Sequence, residues 1–248
     1  MLEIRNLHKS FDGVKAVQDF SLKLEPGKVT SVIGPNGAGK TTVFNIVTGF
    51  LQASKGDVLF HGESIIGRAP WKIARNGISR TFQNLRLFQK LTALENVLLG
   101  RQKQSGEHLL RALFTFSENS PEHRHNIEKA MEHLALLGLD DKKNDLAENL
   151  SYGQQKLLSL ACCLAAEPEV VMLDEPVSGV QPAMVNKIET VIRELIRRRK
   201  TVFLIEHDID FVLRISETVV VMDDGCKIAE GGPSLIKGNP EILEAYLS

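Results

Sequence analysis

The stretch "KVTSVIGPNGAGKT", residues 28–41, decides how the rest of the chain is read. Its first half is an apolar, β-branched run, the pattern of a strand buried on both faces. Its second half, GPNGAGKT (34–41), satisfies G-x-x-x-x-G-K-[ST] in full. The segment that follows, "KTTVFNIVTGFL", has helical patterning. Strand, glycine-rich turn and helix form the context in which this motif cradles phosphate, and a chance glycine-rich turn would lack both flanks. Gly34, Gly37 and Gly39, with Pro35, Asn36 and Ala38 between them, let the backbone curl so that successive N–H groups point inward. The helix start adds partial positive charge. Lys40 can reach the β- and γ-phosphates, the Thr41 hydroxyl can ligate Mg²⁺, and Thr42 places a second hydroxyl toward the α-phosphate.

Outward from this stretch the chain alternates between strand and helix patterns. "LEIRNLH" (2–8) and "VQDFSLKL" (17–24) alternate like half-exposed antiparallel strands, and "GDVLFHG" (56–62) and "ISRTFQ" (78–83) are further short strands. From about 91 to 167 the pattern is helical. In "NIEKAMEHLALLGL" (126–139), Ile127, Ala130, Met131, Leu134, Leu137 and Leu139 fall near one face. "VVMLD", "TVFLIEH" and "TVVVMDDG" are again β-branched runs without alternation, separated by helices at about 182–199 and 208–216. The expected fold class is α/β: a parallel core sheet, an N-terminal antiparallel β subdomain and an inserted α-helical subdomain. All 248 residues form one domain, with 1–90 and 160–248 as core and about 91–160 as the helical insertion. The irregular segment 101–125, with its apolar patch "LLRALFTF", reads as a surface insertion packed on its own subdomain, with a partner site as the alternative.

"VVMLDEP" places two carboxylates side by side at a strand end. Asp174 is positioned to hold a nucleotide's Mg²⁺, often through water, and Glu175 to orient or deprotonate a water attacking the γ-phosphate. An acidic helix cap before Pro176 is the plainer alternative. Gln83, with both carbonyl and amide, can contact metal or water. His207, after a buried strand, can sense the γ-phosphate. In "LSYGQQK" (150–156), Ser151, Gly153 and Gln154 open a second helix whose start also suits an anion. A single chain with one phosphate loop has no evident use for it.

Bulk properties exclude some alternatives. Formal net charge is −1 with 43% hydrophobic and 25% charged residues, so nothing points to nucleic acid. The three cysteines, two of them adjacent (Cys162 and Cys163), read as buried small hydrophobes of a reducing compartment. "MLEIRNLHKSF" lacks a signal-peptide core, and no stretch approaches the roughly 20 apolar residues of a bilayer span.

Taken together, GPNGAGKT, TFQ ending at Gln83, LSYGQQK, VVMLDEP and the EH ending at His207 resemble the ATP-binding cassette (ABC) transport ATPases in order and spacing, over nearly the whole chain. The resemblance implies a P-loop ATPase with ATP and Mg²⁺ as cofactors: Glu175, His207 and Gln83 catalytic; Thr41, Gln83 and Asp174 at the metal; Phe11 stacked on adenine. It implies head-to-tail pairing with a second ABC ATPase subunit, in a homodimer or heterodimer, so that Ser151, Gly153 and Gln154 complete the partner's ATP site. "TFQNLRLFQKLTALENVLLG", the insertion after it and "GNPEILEAYLS" are similar to the branched-chain amino acid, urea and amide importer ATPases. That branch implies integral membrane permease subunits, an extracytoplasmic substrate-binding protein acting indirectly, and a place on the cytoplasmic face of the membrane. The lipopolysaccharide-export ATPase shares part of the pattern, and a non-transport soluble ABC protein is the further alternative. Gln181 stands where the family usually has Asp.

Overall fold

The computed structural model describes residues 1–101 and 121–234. Most of the insertion and the ending "GNPEILEAYLS" lie outside these residues. The chain divides into two compact units, 1–83 with 169–178 and 192 onward, and 84–168 with 179–191.

The first unit holds two sheets. In the four-stranded sheet, β1 (Leu2–Phe11) pairs antiparallel with β2 (Val14–Lys23) and with β4 (Lys55–Phe60), and β5 (Glu63–Ser64) closes the edge. β1 and β2 run longer than the patterning of 2–8 and 17–24 indicated, because Asp12 and Gly13, both at positive φ, make a two-residue turn that extends the ladder to Phe11–Val14. Leu2, Ile4 and Leu7 point into the core, and the register slip between Ile4 and Leu7 breaks strict alternation around Asn6, itself at φ 43°.

The six-stranded sheet has the order β10-β9-β3-β8-β7-β6, comprising β3 (Val29–Ile33), β6 (Ile78–Arg80), β7 (Val170–Asp174), β8 (Thr201–Ile205), β9 (Thr218–Asp223) and β10 (Cys226–Gly231). Every residue of β3, β7 and β8 is buried, as parallel strands covered on both faces require. β10, which the sequence patterning missed, is an antiparallel edge strand on an otherwise parallel sheet. Its burial pattern is half-exposed, and its two adjacent apolar residues, Ile228 and Ala229, are flanked by Lys227 and Glu230, so it carries no long apolar run. In register, Val32 faces Ile205 and Ile205 faces Asp174, so three strand ends align at the carboxyl edge of the sheet. That edge is where open α/β sheets place ligands. Helix α1 (Lys40–Val47) leaves β3 over this edge, with Phe44 packed on Phe203 at 4.7 Å between ring centroids. A short helix α2 (Pro70–Arg75), opened by its proline, precedes β6.

The second unit is helical: α3 (Ala93–Leu99), α4 (Pro121–Leu137), α5 (Tyr152–Ala165) and the first turns of α6 (Pro182–Arg197). α3 opens with a capping box between Thr92 and Glu95. Buried Asn96 donates from its amide to the Leu91 and Thr92 carbonyls and accepts from Phe88 N–H, tying the preceding loop to the helix. On α4 the buried residues are Asn126, Ala130, Leu134 and Leu137, so the stripe is narrower than the apolar pattern indicated and includes an amide. That amide accepts from Arg101 Nε. α7 (Ile209–Ile215) returns to the first unit. Among the described residues no helix is long and apolar enough to cross a membrane.

Candidate functional site

The phosphate loop is built from its glycines. Gly34 has φ 151°, and a Cβ there would collide with the Met222 carbonyl of β9. Gly39 has φ 94° and serves as the N-cap of α1; a Cβ there would collide with the Ala16 carbonyl of β2. The turn therefore fits against two neighbouring strands only with bare backbone. Lys40 is buried at 6% exposure and folds back into the loop, donating from Nζ to the carbonyls of Gly34 (2.7 Å) and Pro35 (2.8 Å). Burial lowers its pKa, opposed by the negative charges of Glu175 and Asp174. Thr41 is exposed, Thr42 half-buried, Asn36 and Gly37 exposed, and Ala38 buried in the core. Phe11 is the last residue of β1; its exposed ring has Lys9 Nζ 4.8 Å from the centroid.

At the end of β7 the two acids face different partners. Asp174 is 4% exposed and its Oδ2 accepts from Arg80 Nη2 at 2.6 Å, an ion pair with both side chains at 4% exposure or less. Its backbone N–H donates to Thr81 Oγ1. Glu175 is held from two sides: Gln83 Nε2 donates to Oε2 at 2.9 Å, and His207 Nε2 lies 2.8 Å from Oε1. Glu175 adopts φ 50°, a left-handed conformation unusual for a non-glycine residue. That backbone turn, fixed by Glu175 N–H donating to the Ile205 carbonyl, separates the directions of the two side chains. Adjacent acids at a sheet end would repel each other and resist desolvation. Here each carboxylate has its own partners, Arg80 for Asp174 and Gln83 with His207 for Glu175.

Two residues of this cluster were not singled out from the sequence. Arg80 also donates to Asn45 Oδ1 (2.7 Å) and Thr48 Oγ1 (3.3 Å) of α1 and its continuation, and lies against the rings of Phe44 and Phe82. Glu206, 1% exposed, accepts from Val177 N–H at 2.7 Å and from His207 N–H at 2.9 Å, tying the segment after Glu175 to the turn that carries His207. The signal for both was a charged residue within or beside a short apolar strand.

Thr41, Gln83 and Asp174 supply hydroxyl, amide and carboxylate oxygens, the donor type of a Mg²⁺ site that draws its remaining ligands from water and phosphate. The donor set fits, with one qualification visible in the geometry: Asp174 Oδ2 is engaged by Arg80, which leaves Oδ1. Among the described residues no cluster of three or more His, Cys, Asp or Glu side chains could hold a metal without such help.

In the second unit, Ser151 is the exposed N-cap of α5, with φ −61° and ψ 157°. It forms a capping box with Gln154: Gln154 N–H donates to Ser151 Oγ, and Ser151 N–H donates to Gln154 Oε1. Gly153 packs against Met184 of α6. Gln181 is exposed, and its carbonyl accepts from the N–H groups of Met184 and Val185 at the start of α6. On α5 Cys163 is buried and Cys162 half-buried; the apolar surroundings push the Cys162 thiol up to about 12 and raise the Cys163 thiol as well.

A central parallel strand, a glycine-built phosphate loop and a carboxylate at the end of a neighbouring strand define a P-loop nucleotide-binding protein. The chain belongs to the ABC transporter family, whose model matches residues 17–178. It is 41% identical to the high-affinity branched-chain amino acid transport ATP-binding protein BraF of Pseudomonas aeruginosa, over all of this chain and 97% of that one. It is 38% identical to the corresponding protein LivG of Escherichia coli K12, with the same coverage. Among solved structures it superposes on a nucleotide-free ATP-binding cassette of an ABC transporter with TM-score 0.86, 35% identity, and coverage of 100% of this chain and 99% of that one. A cassette in an ADP conformation gives TM-score 0.85 and 34% identity, covering 100% and 98%. The chain is an ABC-type ATPase that binds ATP.

Proposed function

We propose that this ATPase powers the import of branched-chain amino acids or related small polar solutes, working at the cytoplasmic face of a membrane with integral permease subunits and, through them, an extracytoplasmic binding protein. The observation that carries the catalytic part is the Glu175 carboxylate held between Gln83 and His207 at the carboxyl edge of the sheet. The cargo class rests on full-length similarity to ATP-binding proteins named for branched-chain amino acid transport.

In this reading the loop 34–39 and Lys40 bind the phosphates, and Thr42 supports the α-phosphate side. Phe11 stacks on the adenine. Thr41, Gln83 and Asp174 would hold Mg²⁺, which would supply charge neutralisation at the phosphates. Glu175 orients and deprotonates the attacking water, and His207 keeps the carboxylate aimed and contacts the γ-phosphate. Lys40, which spends its charge on two loop carbonyls, exchanges them for phosphate oxygens, a stronger charge-assisted pairing. Ser151, Gly153 and Gln154 serve the ATP site of a second ATPase subunit, whether identical or related.

The test is Glu175→Gln, which keeps the shape and the acceptor for Gln83 but removes the base. ATP binding by calorimetry should be unchanged within a few-fold, while turnover in the assembled transporter falls by about 100-fold or more. Full activity in that variant would overturn the assignment.

A further inference from the structure

Resting on the metal-site reading above, we propose that Arg80 is an internal counter-ion that competes with the metal for Asp174, so that the divalent cation binds firmly only when it arrives with nucleotide phosphates. The pair is nearly water-free, with the guanidinium 2.6 Å from Asp174 Oδ2. At such burial an unneutralised carboxylate is strongly disfavoured, and Arg80 supplies the neutralisation that a metal would otherwise supply. Arg80 is not a mobile surface cation. Its second amino group is fixed by Asn45 and Thr48, and its guanidinium carbon lies 5.4 Å from the Phe44 ring centroid and 5.0 Å from that of Phe82. Its charge therefore stays beside Asp174 when a divalent ion approaches the remaining oxygen, and the two cations repel each other. Phosphate oxygens offset that repulsion, which makes the metal's affinity conditional on the nucleotide. Arg80 also sits three residues before Gln83 on the same segment, so the residue that holds the metal carboxylate and the one that holds Glu175 share one short strand and its exit. Arg80 is a positioning residue here: it acts on the metal through Asp174.

The test uses Mn²⁺ in place of Mg²⁺ and reads the free Mn²⁺ signal by electron paramagnetic resonance, on the full chain with and without ADP. The variants are Arg80→Gln, whose amide can still donate to Asp174, Arg80→Met, and Arg80→Lys, which keeps the charge. In the unmodified protein Mn²⁺ should bind with ADP and weakly or not at all without it. Arg80→Gln should tighten Mn²⁺ binding about tenfold, give measurable binding without nucleotide, and leave the affinity for metal-free ADP within about twofold. Arg80→Met should do the same, and if it fails to fold Arg80→Gln alone decides. Arg80→Lys should stay within about threefold of the unmodified protein. Unchanged or weaker Mn²⁺ binding in Arg80→Gln overturns the proposal, as does equal tightening in Arg80→Lys. Absence of ADP-dependent Mn²⁺ binding in the unmodified protein would instead overturn the metal-site reading itself.

Discussion

Two helices in this chain begin in ways that suit an anion, and they begin differently. α1 starts at Gly39, left-handed, with no side-chain cap and no acid in its first turn. α5 starts at Ser151, extended, with the N–H groups of Ser151 and Gln154 engaged by the reciprocal Ser151–Gln154 box. The first start leaves its N–H groups to whatever the loop encloses, and a buried lysine waits beside it. The second has two of its N–H groups, those of Ser151 and Gln154, engaged by its own side chains, and an external acceptor reaches either only by displacing that internal bond. A phosphate site contained within one subunit is thus prebuilt. The helix start proposed to serve a second subunit carries a side-chain cap instead.

The contrast can be broken at four points. Lys40→Ala removes the cation of the open start; two or more charge-assisted contacts are lost, about 3 kcal/mol or more, so ATP affinity by calorimetry should fall by about 100-fold or more. The corresponding loss at the capped start, measured on the isolated chain, should be absent for Ser151→Ala. Gly39→Ala asks the loop to accept a side chain at φ 94° against the Ala16 carbonyl, and should lower unfolding stability by about 2 kcal/mol in denaturant titration, from backbone strain and the collision together. Ser151→Ala should cost about 1 kcal/mol in the same titration, the usual loss of a side-chain cap. Equal stability losses at Gly39 and Ser151 with unchanged nucleotide affinity in both would erase the distinction. The smallest effect is protonic. Burial lowers the Lys40 pKa, whereas bound phosphates favour the charged amine and raise it. In the alkaline range between those two values ATP binding should take up a fraction of a proton, and at lower pH, where the amine is already charged, none. Calorimetry in buffers of different ionisation enthalpy reads this directly, and Lys40→Met should abolish it.

Much of this was legible along the chain, and the reasons differ by residue. GPNGAGKT was legible because the phosphate loop is local: eight consecutive residues make the whole device. The buried strands 29–33, 170–174 and 201–205 were legible because burial on both faces leaves unbroken apolar runs. β10 was not, since an edge strand needs no such run. The turn at Asp12 and Gly13 leaves no mark on the apolar alternation of its flanks; its signal is the Asp-Gly pair itself, both residues at positive φ. Asn126 on the buried stripe of α4 was missed because an amide counts as polar in a pattern even where Arg101 satisfies it. The second compact unit takes in 179–191, separated from 84–168 by the segment 169–178 of the first unit, which a linear reading of 91–160 does not include.

By itself the sequence determined the strand–loop–helix device, the adjacency of Asp174 and Glu175, the capping pair three residues apart at Ser151 and Gln154, and the order of motifs along the chain. All are short-range, set by spacing and by the backbone freedom of particular residues. Tertiary structure decided which groups neutralise which. Nothing in the spacing of residues 80 and 174 says that Arg80 will be the partner of Asp174, or that Gln83 and His207 will meet on Glu175. Those pairings exist because parallel strands β6, β7 and β8 are neighbours and end together, and burial of Asp174 beside Arg80 leaves little water there to do the work of a counter-ion.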